Sequence, residues 1–356
     1  MNKGEICRHG HAVLAIKTLQ KQFDDTKIEN ERTKAVFLAV AILDLLDFQD
    51  IIQKYKDKLE KLIMRSINNA EEPIQSLQCV LQLAVLLNYD FSQTAQQLLD
   101  YTLSLFTQDG VIECHNPQTY TDARNMSSGT ICVYLILKKY QNIVKISQDE
   151  VKRIHGITQN FIASCRTFSG AFAMSESGEE HGGGFLLNII PMHLMNKTLE
   201  LTGSQINQIT ISDMPDVLFK MVQRQQLLFQ GRPNKPECLC YCLWVFGAAV
   251  ILGKEQLFNL QVMKSQLLSC QFKMKPSAAE ELIIKMTPAK DKFEDCNGKL
   301  EWASYLMKNY GKILCGFILA EEKPDLLHSY AALCALKWEQ MDFSVFMPKR
   351  AVDRWE

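Results

Sequence analysis

GRPNKPECLCYCLWVFGAAVIL, residues 231–252, is the stretch from which the architecture reads most directly. Pro236 has a fixed φ and no amide hydrogen, which suits the first turn of a helix, and the apolar run from Cys238 onward then reads as a buried helix. The GRPNK loop before it lies beside a helix amino end. Amide donors and the positive end of the macrodipole attract anions there, and Arg232 and Lys235 add two full positive charges. A phosphate or diphosphate is the guest that such a loop suits. Cys238 and Cys240 are two apart and do not share a face of a regular helix, so joint metal binding by them requires an irregular first turn.

Apolar residues recur at helical spacing outward from this segment: Val36, Val40, Leu43 and Leu46; Leu77, Val80 and Leu81; Val217, Met221 and Leu228. Strand-like alternation is scarce, so the fold class is all-α. Ser147 with Glu150, and Ser277 with Glu280, fit the capping box, in which each side chain satisfies the other's orphan amide. Glycine-centred turns at Gly110, Gly170, Gly231 and Gly316 stand far enough apart for a helix pair between each. Helical hairpins repeated in this way, with their turns gathered at one end, form a barrel. Residues 284–300 are charged and read as a solvent loop. No low-complexity linker divides the chain, so 1–356 is read as one domain.

Composition narrows the function. At 356 residues and 47% hydrophobic, the chain can bury a large core. A formal charge of −1 without long basic runs argues against nucleic acid as a partner. The start, MNKGEICRHG, holds no apolar signal core. The longest apolar runs, such as 35–43 and 242–252, are too short to span a bilayer. A soluble cytoplasmic protein is expected. Twelve cysteines, many in apolar segments (Cys79, Cys132, Cys334), read as small core residues of a reducing compartment rather than disulfides. Cys7, His9 and His11 read as a chance cluster in a frayed terminus. HGGG at 181–184 has the look of an esterase oxyanion loop, but the chain has no GxSxG elbow to go with it.

Four patches together resemble a known family. GRPNKP followed by CYCLW resembles the signature of protein prenyltransferase β subunits, in the form typical of the geranylgeranyltransferase type I β subunit. ERTKAVFLAVAILDLLD (31–47) is similar to the family's second helix, GEEHGG (178–183) to its ESHGG turn, and KPDLLHSYAALCAL (323–336) to its PDxxHxYxGLxxL helix. The likeness runs over most of the chain and implies an α/α toroid with a central apolar funnel.

The resemblance also implies a site. The family holds zinc with an aspartate, a cysteine two residues later and a distant histidine; here the cysteine is Cys240, the histidine His328, and the aspartate position falls on Cys238. Glu237, one residue earlier, is the alternative ligand. Three protein ligands leave a fourth position for the substrate thiol. The family's diphosphate ligands match His181, Arg232, Lys235 and Tyr241. Trp244 matches an aromatic lining the lipid funnel. Arg124 matches an arginine near the bound peptide, although Ser127 and Ser128 stand where a tyrosine and a cysteine are expected. The two positions that set lipid length fall on Lys34 and Ala331, and the small Ala331 favours the twenty-carbon chain. The position that decides magnesium dependence falls near Ile318 or Leu319, which leaves magnesium open. The implied protein is the β subunit of a protein geranylgeranyltransferase type I. It transfers geranylgeranyl from its diphosphate to the cysteine of CaaX-terminated small GTPases and similar proteins, with Leu or Phe favoured last, and pairs with an α subunit that supplies a further lysine. A farnesyl or Rab-type β subunit, or a catalytically silent isoprenoid- or partner-binding relative, is the alternative.

Overall fold

The computed structural model describes residues 6, 8–24, 30–69, 72–114, 121–270 and 325–355. Cys7, the Ser277–Glu280 box, the 284–300 loop, Gly316 and the positions near Ile318 lie outside these residues.

Two kinds of helix alternate along the chain, and their composition decides which layer each joins. α4 (Ile74–Leu87) is apolar on all sides and is buried without a break from Cys79 to Leu86. A helix with no polar face has to be surrounded by other elements. α3 (Gln49–Ile67) instead buries one stripe, Ile51, Ile52, Leu59, Ile63 and Ile67, and gives its other face to water. The inner helices are α2 (Asn30–Leu45), α4, α6 (Ala123–Tyr140), α8 (Gly182–Leu201), a π turn (Cys242–Phe246) continued by α10 (Gly247–Ile251), and α12 (Leu326–Leu336). Each packs on the next in that order, and α12 packs back on α2, so the ring closes. Against its outside lie α1 (Arg8–Asp24), α3, α5 (Ala95–Ser104), α7 (Gln148–Ser164) and α11 (Leu260–Ser269). α9 (Met214–Gln223) leads into the hairpin that follows. The expected α/α toroid is therefore present.

Contacts between equivalent turns show that the inner helices run parallel. Gln75 meets Asn125 and Gln78 meets Ser128 across α4 and α6, Gly182 meets Tyr241 across α8 and the π turn, and Phe37 meets Tyr330 across α2 and α12. All their amino ends therefore gather at one end of the barrel. The opposite end is covered by the C-terminal segment: a hairpin of Met341–Asp342 with Met347–Pro348, then α13 (Lys349–Asp353). Gln82 Nε2 donates to Val345 O at 2.7 Å and Trp355 Nε1 to Leu135 O at 3.1 Å, fastening this plug to α4 and α6.

Ser127 and Ser128 have packing duties. Pro191, inside α8, cannot donate to the carbonyl four residues back, which is that of Leu187. Ser127 Oγ donates to that Leu187 oxygen at 2.8 Å, and Ser128 Oγ donates to Gln78 Oε1 at 2.6 Å.

Several local expectations are corrected. Ser147 caps α7 by accepting from the Glu150 amide at 3.1 Å, but the Glu150 carboxylate turns to Arg153 instead of completing the box. Gly110 and Gly170 take left-handed φ values of +124° and +83°, as turn glycines do, whereas Gly231 does not. Residues 8–24 form α1 rather than a frayed end, and His11 is fully buried in it. Cys79, Cys132 and Cys334 are buried, as expected of core residues, and no helix among the described residues is long and apolar enough to cross a membrane.

Candidate metal and diphosphate site

The expected helix start at Pro236 is replaced by a hairpin. Phe229–Gln230 pairs antiparallel with Glu237–Cys238, residues 231–236 make the loop between them, and the helix begins only at the π turn. Proline's fixed φ and missing donor suit such a loop as well as a helix start, and the choice is made by Glu237. Its two carboxylate oxygens accept from the Leu227 and Leu228 amides at 2.9 and 3.0 Å, which pins the hairpin. Glu237 is thereby removed as an alternative metal ligand. The irregular backbone that joint binding by two cysteines required is thus the strand end and turn from 238 to 240.

On that backbone the two sulfurs converge. Cys238 Sγ lies 3.1 Å from Cys240 Sγ and 3.4 Å from His328 Nε2, and the three ligand atoms all fall within 4.8 Å of one another. His328 arrives from the first turn of α12. Asp325, the N-cap of α12, accepts from the His328 amide at 2.9 Å and lies 2.5 Å from its Nδ1, so the ring is held with Nε2 facing the sulfurs. A carboxylate behind a ligating imidazole is the arrangement that fixes a metal-binding tautomer. Asp325 was not singled out from sequence; its place three residues before His328 in PDLLH was the available signal.

Electrostatics shape the cluster. The Cys240 thiol donates to Cys238 and, with a smaller contribution from His328, holds Cys238 well below the usual thiol range. The same contact and burial push Cys240 up. Asp325 first, then Cys238, raises His328 to about 10. These are groups that bind one proton set when empty and surrender it to a cation. Two sulfurs and an imidazole nitrogen suit zinc, whose Zn–S bonds of about 2.3 Å in a tetrahedral site set two sulfurs roughly 3.7 Å apart. The pair at 3.1 Å therefore needs to open only by about 0.6 Å. The donor set fits the ion.

Next to the cluster stands a second group. Tyr241 follows Cys240 directly, and its Oη lies 3.3 Å from His181 Nε2. His181 caps α8, its Nδ1 accepting from the Gly183 amide at 2.9 Å, which leaves Nε2 as the donor. Burial, then the charge of Arg232, holds the His181 pKa below its ordinary value, so the ring is a neutral donor at pH 7. The amino end beside the GRPNK loop is thus that of α8: the Gly182 amide donates to Gly231 O at 2.5 Å. Gly231 is required for approach, since a Cβ there would fall 1.9 Å from Tyr241 Cζ. Arg232 reaches Glu179 Oε1 at 2.5 Å, and Lys235 acts on the same carboxylate. Glu180, next in the turn, pairs with buried Arg224 and accepts from Ser169. Neither glutamate was assigned a role from sequence.

The remaining expected residues are more dispersed. Trp244 is half-buried with its ring edge-on to Phe346 at 5.8 Å. Ala331 is fully buried in α12. Lys34 is exposed in the first turns of α2, within electrostatic reach of Cys79 on α4. Arg124 opens α6, where its Nε donates to the N-cap Asp122 at 2.8 Å. Thus Cys238, Cys240, His328, His181, Tyr241, Arg232 and Lys235 are brought together, and Lys34, Ala331 and Arg124 stand on separate inner helices.

Comparison with known proteins agrees with this architecture. Residues 13–349 match the prenyltransferase alpha-alpha toroid domain, and the chain belongs to that family. Its curated relatives include the geranylgeranyl transferase type-1 subunit beta of Arabidopsis thaliana, 26% identical over 203 residues, 56% of this chain and 51% of the relative. They also include the protein farnesyltransferase subunit beta of Pisum sativum, 32% identical over 115 residues, 32% of this chain and 24% of the relative. The chain thus spans about half the length of the Arabidopsis relative, and less of the pea one. Among solved structures, Candida albicans protein geranylgeranyltransferase-I complexed with GGPP shares the fold at a TM-score of 0.63 and 14% identity, covering 99% of this chain and 98% of that one.

Proposed function

We propose that the chain is the β subunit of a protein geranylgeranyltransferase type I, acting in the cytoplasm with an α subunit. It would transfer geranylgeranyl from its diphosphate to the cysteine thiol of C-terminal CaaX motifs, such as those of small GTPases. The observation that carries this reading is contiguity: the cluster of Cys238, Cys240 and His328 adjoins the His181–Tyr241 pair and Arg232 through the Cys240–Tyr241 peptide. Thiol alkylation needs a sulfur and a leaving diphosphate on opposite sides of one carbon, so its two sites must be neighbours.

Cys238, Cys240 and His328 would hold zinc, which when bound lowers the pKa of a fourth, substrate thiol and keeps it nucleophilic at neutral pH. The chain's own groups act on the other partner. His181 Nε2–H, the Tyr241 hydroxyl, Arg232 and Lys235 bind the diphosphate and stabilise the charge that grows on its bridging oxygen. The C–S bond forms as the C1–O bond breaks, the thiol proton goes to solvent, and inorganic diphosphate leaves. Trp244 and Ala331 line the lipid path in this reading, with the small Ala331 leaving room for twenty carbons. Lys34 at the rim keeps its ammonium in water, and Arg124 meets the peptide.

The test is single-turnover transfer by the chain co-expressed with an α subunit, from fifteen- and twenty-carbon diphosphates to CaaX peptides ending in Leu, Phe, Ser or Met. One zinc per heterodimer, the longer lipid and a terminal Leu or Phe are expected, with zinc lost in Cys240→Ala. A preference for the shorter lipid identifies a farnesyl subunit. Diphosphate binding without alkylation, unchanged by Cys240→Ala, identifies a silent lipid-binding relative and overturns the enzymatic reading.

A further inference from the structure

We propose that Glu179 is the resident anion of the diphosphate site: its carboxylate holds Arg232 until a lipid diphosphate displaces it, and it returns to that guanidinium as inorganic diphosphate leaves. The inference rests on the diphosphate assignment made above.

Three of the four groups placed around the leaving diphosphate, Arg232, His181 and Lys235, act on this one carboxylate. Arg232 Nη1 contacts Glu179 Oε1 at 2.5 Å. The charges of Arg232 and Lys235 both act on Glu179, Arg232 most strongly through its direct hydrogen bond. A carboxylate with two charged oxygens is a small substitute for a phosphate, and it sits where one would be held.

The turn that carries it is built so that this side chain is free to swing while its neighbour stays fixed. The backbone is tied by Gly178 N to Ser175 O at 3.1 Å and His181 N to Phe172 O at 2.9 Å. His181 is extended, at φ −140° and ψ 132°. Glu180 is 11% exposed and locked to Arg224 and Ser169. Glu179 is 66% exposed, and its contact is with Arg232. The buried glutamate anchors the turn and the exposed one is available to exchange partners.

The consequence is a matter of charge. With Glu179 in place, one of the two cationic charges at the site is already neutralised. A diphosphate, with more charge than a carboxylate, wins the competition but binds less tightly than it would to an uncompensated pair. Product release is eased in the same measure.

The test is calorimetric binding of magnesium-free inorganic pyrophosphate to the heterodimer at low salt. Glu179→Gln is expected to bind it roughly tenfold tighter, with the gain shrinking as salt is added, and to show correspondingly stronger product inhibition. Glu179→Gln with Arg232→Gln is expected to gain much less over Arg232→Gln alone than the roughly tenfold that Glu179→Gln gains over the unmodified protein. If Glu179 served only to orient Arg232, Glu179→Gln would bind pyrophosphate as weakly as wild type or more weakly, and the proposal is overturned. Should Arg232→Gln and Lys235→Gln leave binding to the wild-type level unchanged, the diphosphate assignment itself falls and takes this inference with it. Glu179→Ala serves as the second variant, with thermal melting as the folding control.

Discussion

Asp325 grips His328 at two atoms, accepting from the backbone amide at 2.9 Å with one oxygen and lying 2.5 Å from Nδ1 with the other. One carboxylate thus caps α12 and aims the imidazole at Cys238 and Cys240. Asp325→Asn keeps an oxygen for the cap but loses the charge behind the ring, and zinc affinity is expected to fall 10- to 100-fold. Asp325→Ala adds the loss of a helix cap, about 1 kcal/mol of stability. Chelator competition measures the first effect and thermal melting the second; equal zinc affinity in all three proteins would refute the orienting role.

Cys238 and His328 also fix a pH window for the metal-free protein. Cys240, ahead of His328, draws Cys238 from its ordinary 9.0 to about 5, and Asp325, ahead of Cys238, lifts His328 from 6.5 to about 10. The depressed thiol gives stability present above 9.0 and lost as pH falls through 5. The raised imidazole gives stability fully present below 6.5 and lost as pH rises through about 10. From 5 to 6.5 the unfolded chain holds one proton more than the folded one, so stability climbs with pH; from 6.5 to 9 the counts match; above 9 the folded chain keeps the protons of both His328 and the raised Cys240 thiol, which the unfolded chain has lost, and stability falls. Melting of the zinc-stripped protein should trace that plateau, and Cys238→Ser should flatten its acid arm. A stability maximum outside the plateau contradicts the pairing.

Much of this was legible in the sequence because the inner helices have no polar face to hide. Val36, Val40, Leu43 and Leu46 are all buried, as their spacing required. What sequence could not show was decided by partners far along the chain. Trp355 meets Leu135 across 220 residues, so the C-terminal plug has no local signal, and the meeting of His328 with Cys238 across 90 residues was legible only through the family resemblance, not through local pattern. The Pro236 helix start failed for a related reason: the Glu237 carboxylate, reaching back to Leu227 and Leu228, stabilises a hairpin that local propensity does not favour over a helix. Ser127 departs from the resemblance because it answers Pro191 on the neighbouring helix.

Gly231 leaves no room for a side chain against Tyr241. A Cβ at 231 would lie 1.9 Å from Tyr241 Cζ and 2.3 Å from its Oη. Since the Gly231 carbonyl also holds the Gly182 amide, the backbone cannot retreat without disturbing the amino end of α8. Gly231→Ala is expected to turn Tyr241 away from His181, weakening pyrophosphate binding while zinc content stays at one per chain. Overpacking of this kind destabilises by about 1–3 kcal/mol. Undiminished pyrophosphate affinity in the variant would show that the Tyr241–His181 pair plays no part in anion binding.

Glu237 and Cys238 are adjacent and face different tasks, which a paired substitution separates. The glutamate satisfies two backbone amides at 2.9 and 3.0 Å and contributes no atom to the metal cluster. Glu237→Gln keeps one acceptor oxygen and leaves an amide without its charged partner, at a stability cost of about 1–3 kcal/mol. Its zinc stoichiometry should equal that of the unmodified protein, because Cys238 Sγ rather than the carboxylate faces Cys240 and His328. Cys238→Ala should do the reverse, lowering zinc affinity with the hairpin intact, whereas Cys238→Asp should restore binding through an oxygen ligand. Zinc retained by Cys238→Ala and lost from Glu237→Gln would reverse the assignment of the two side chains.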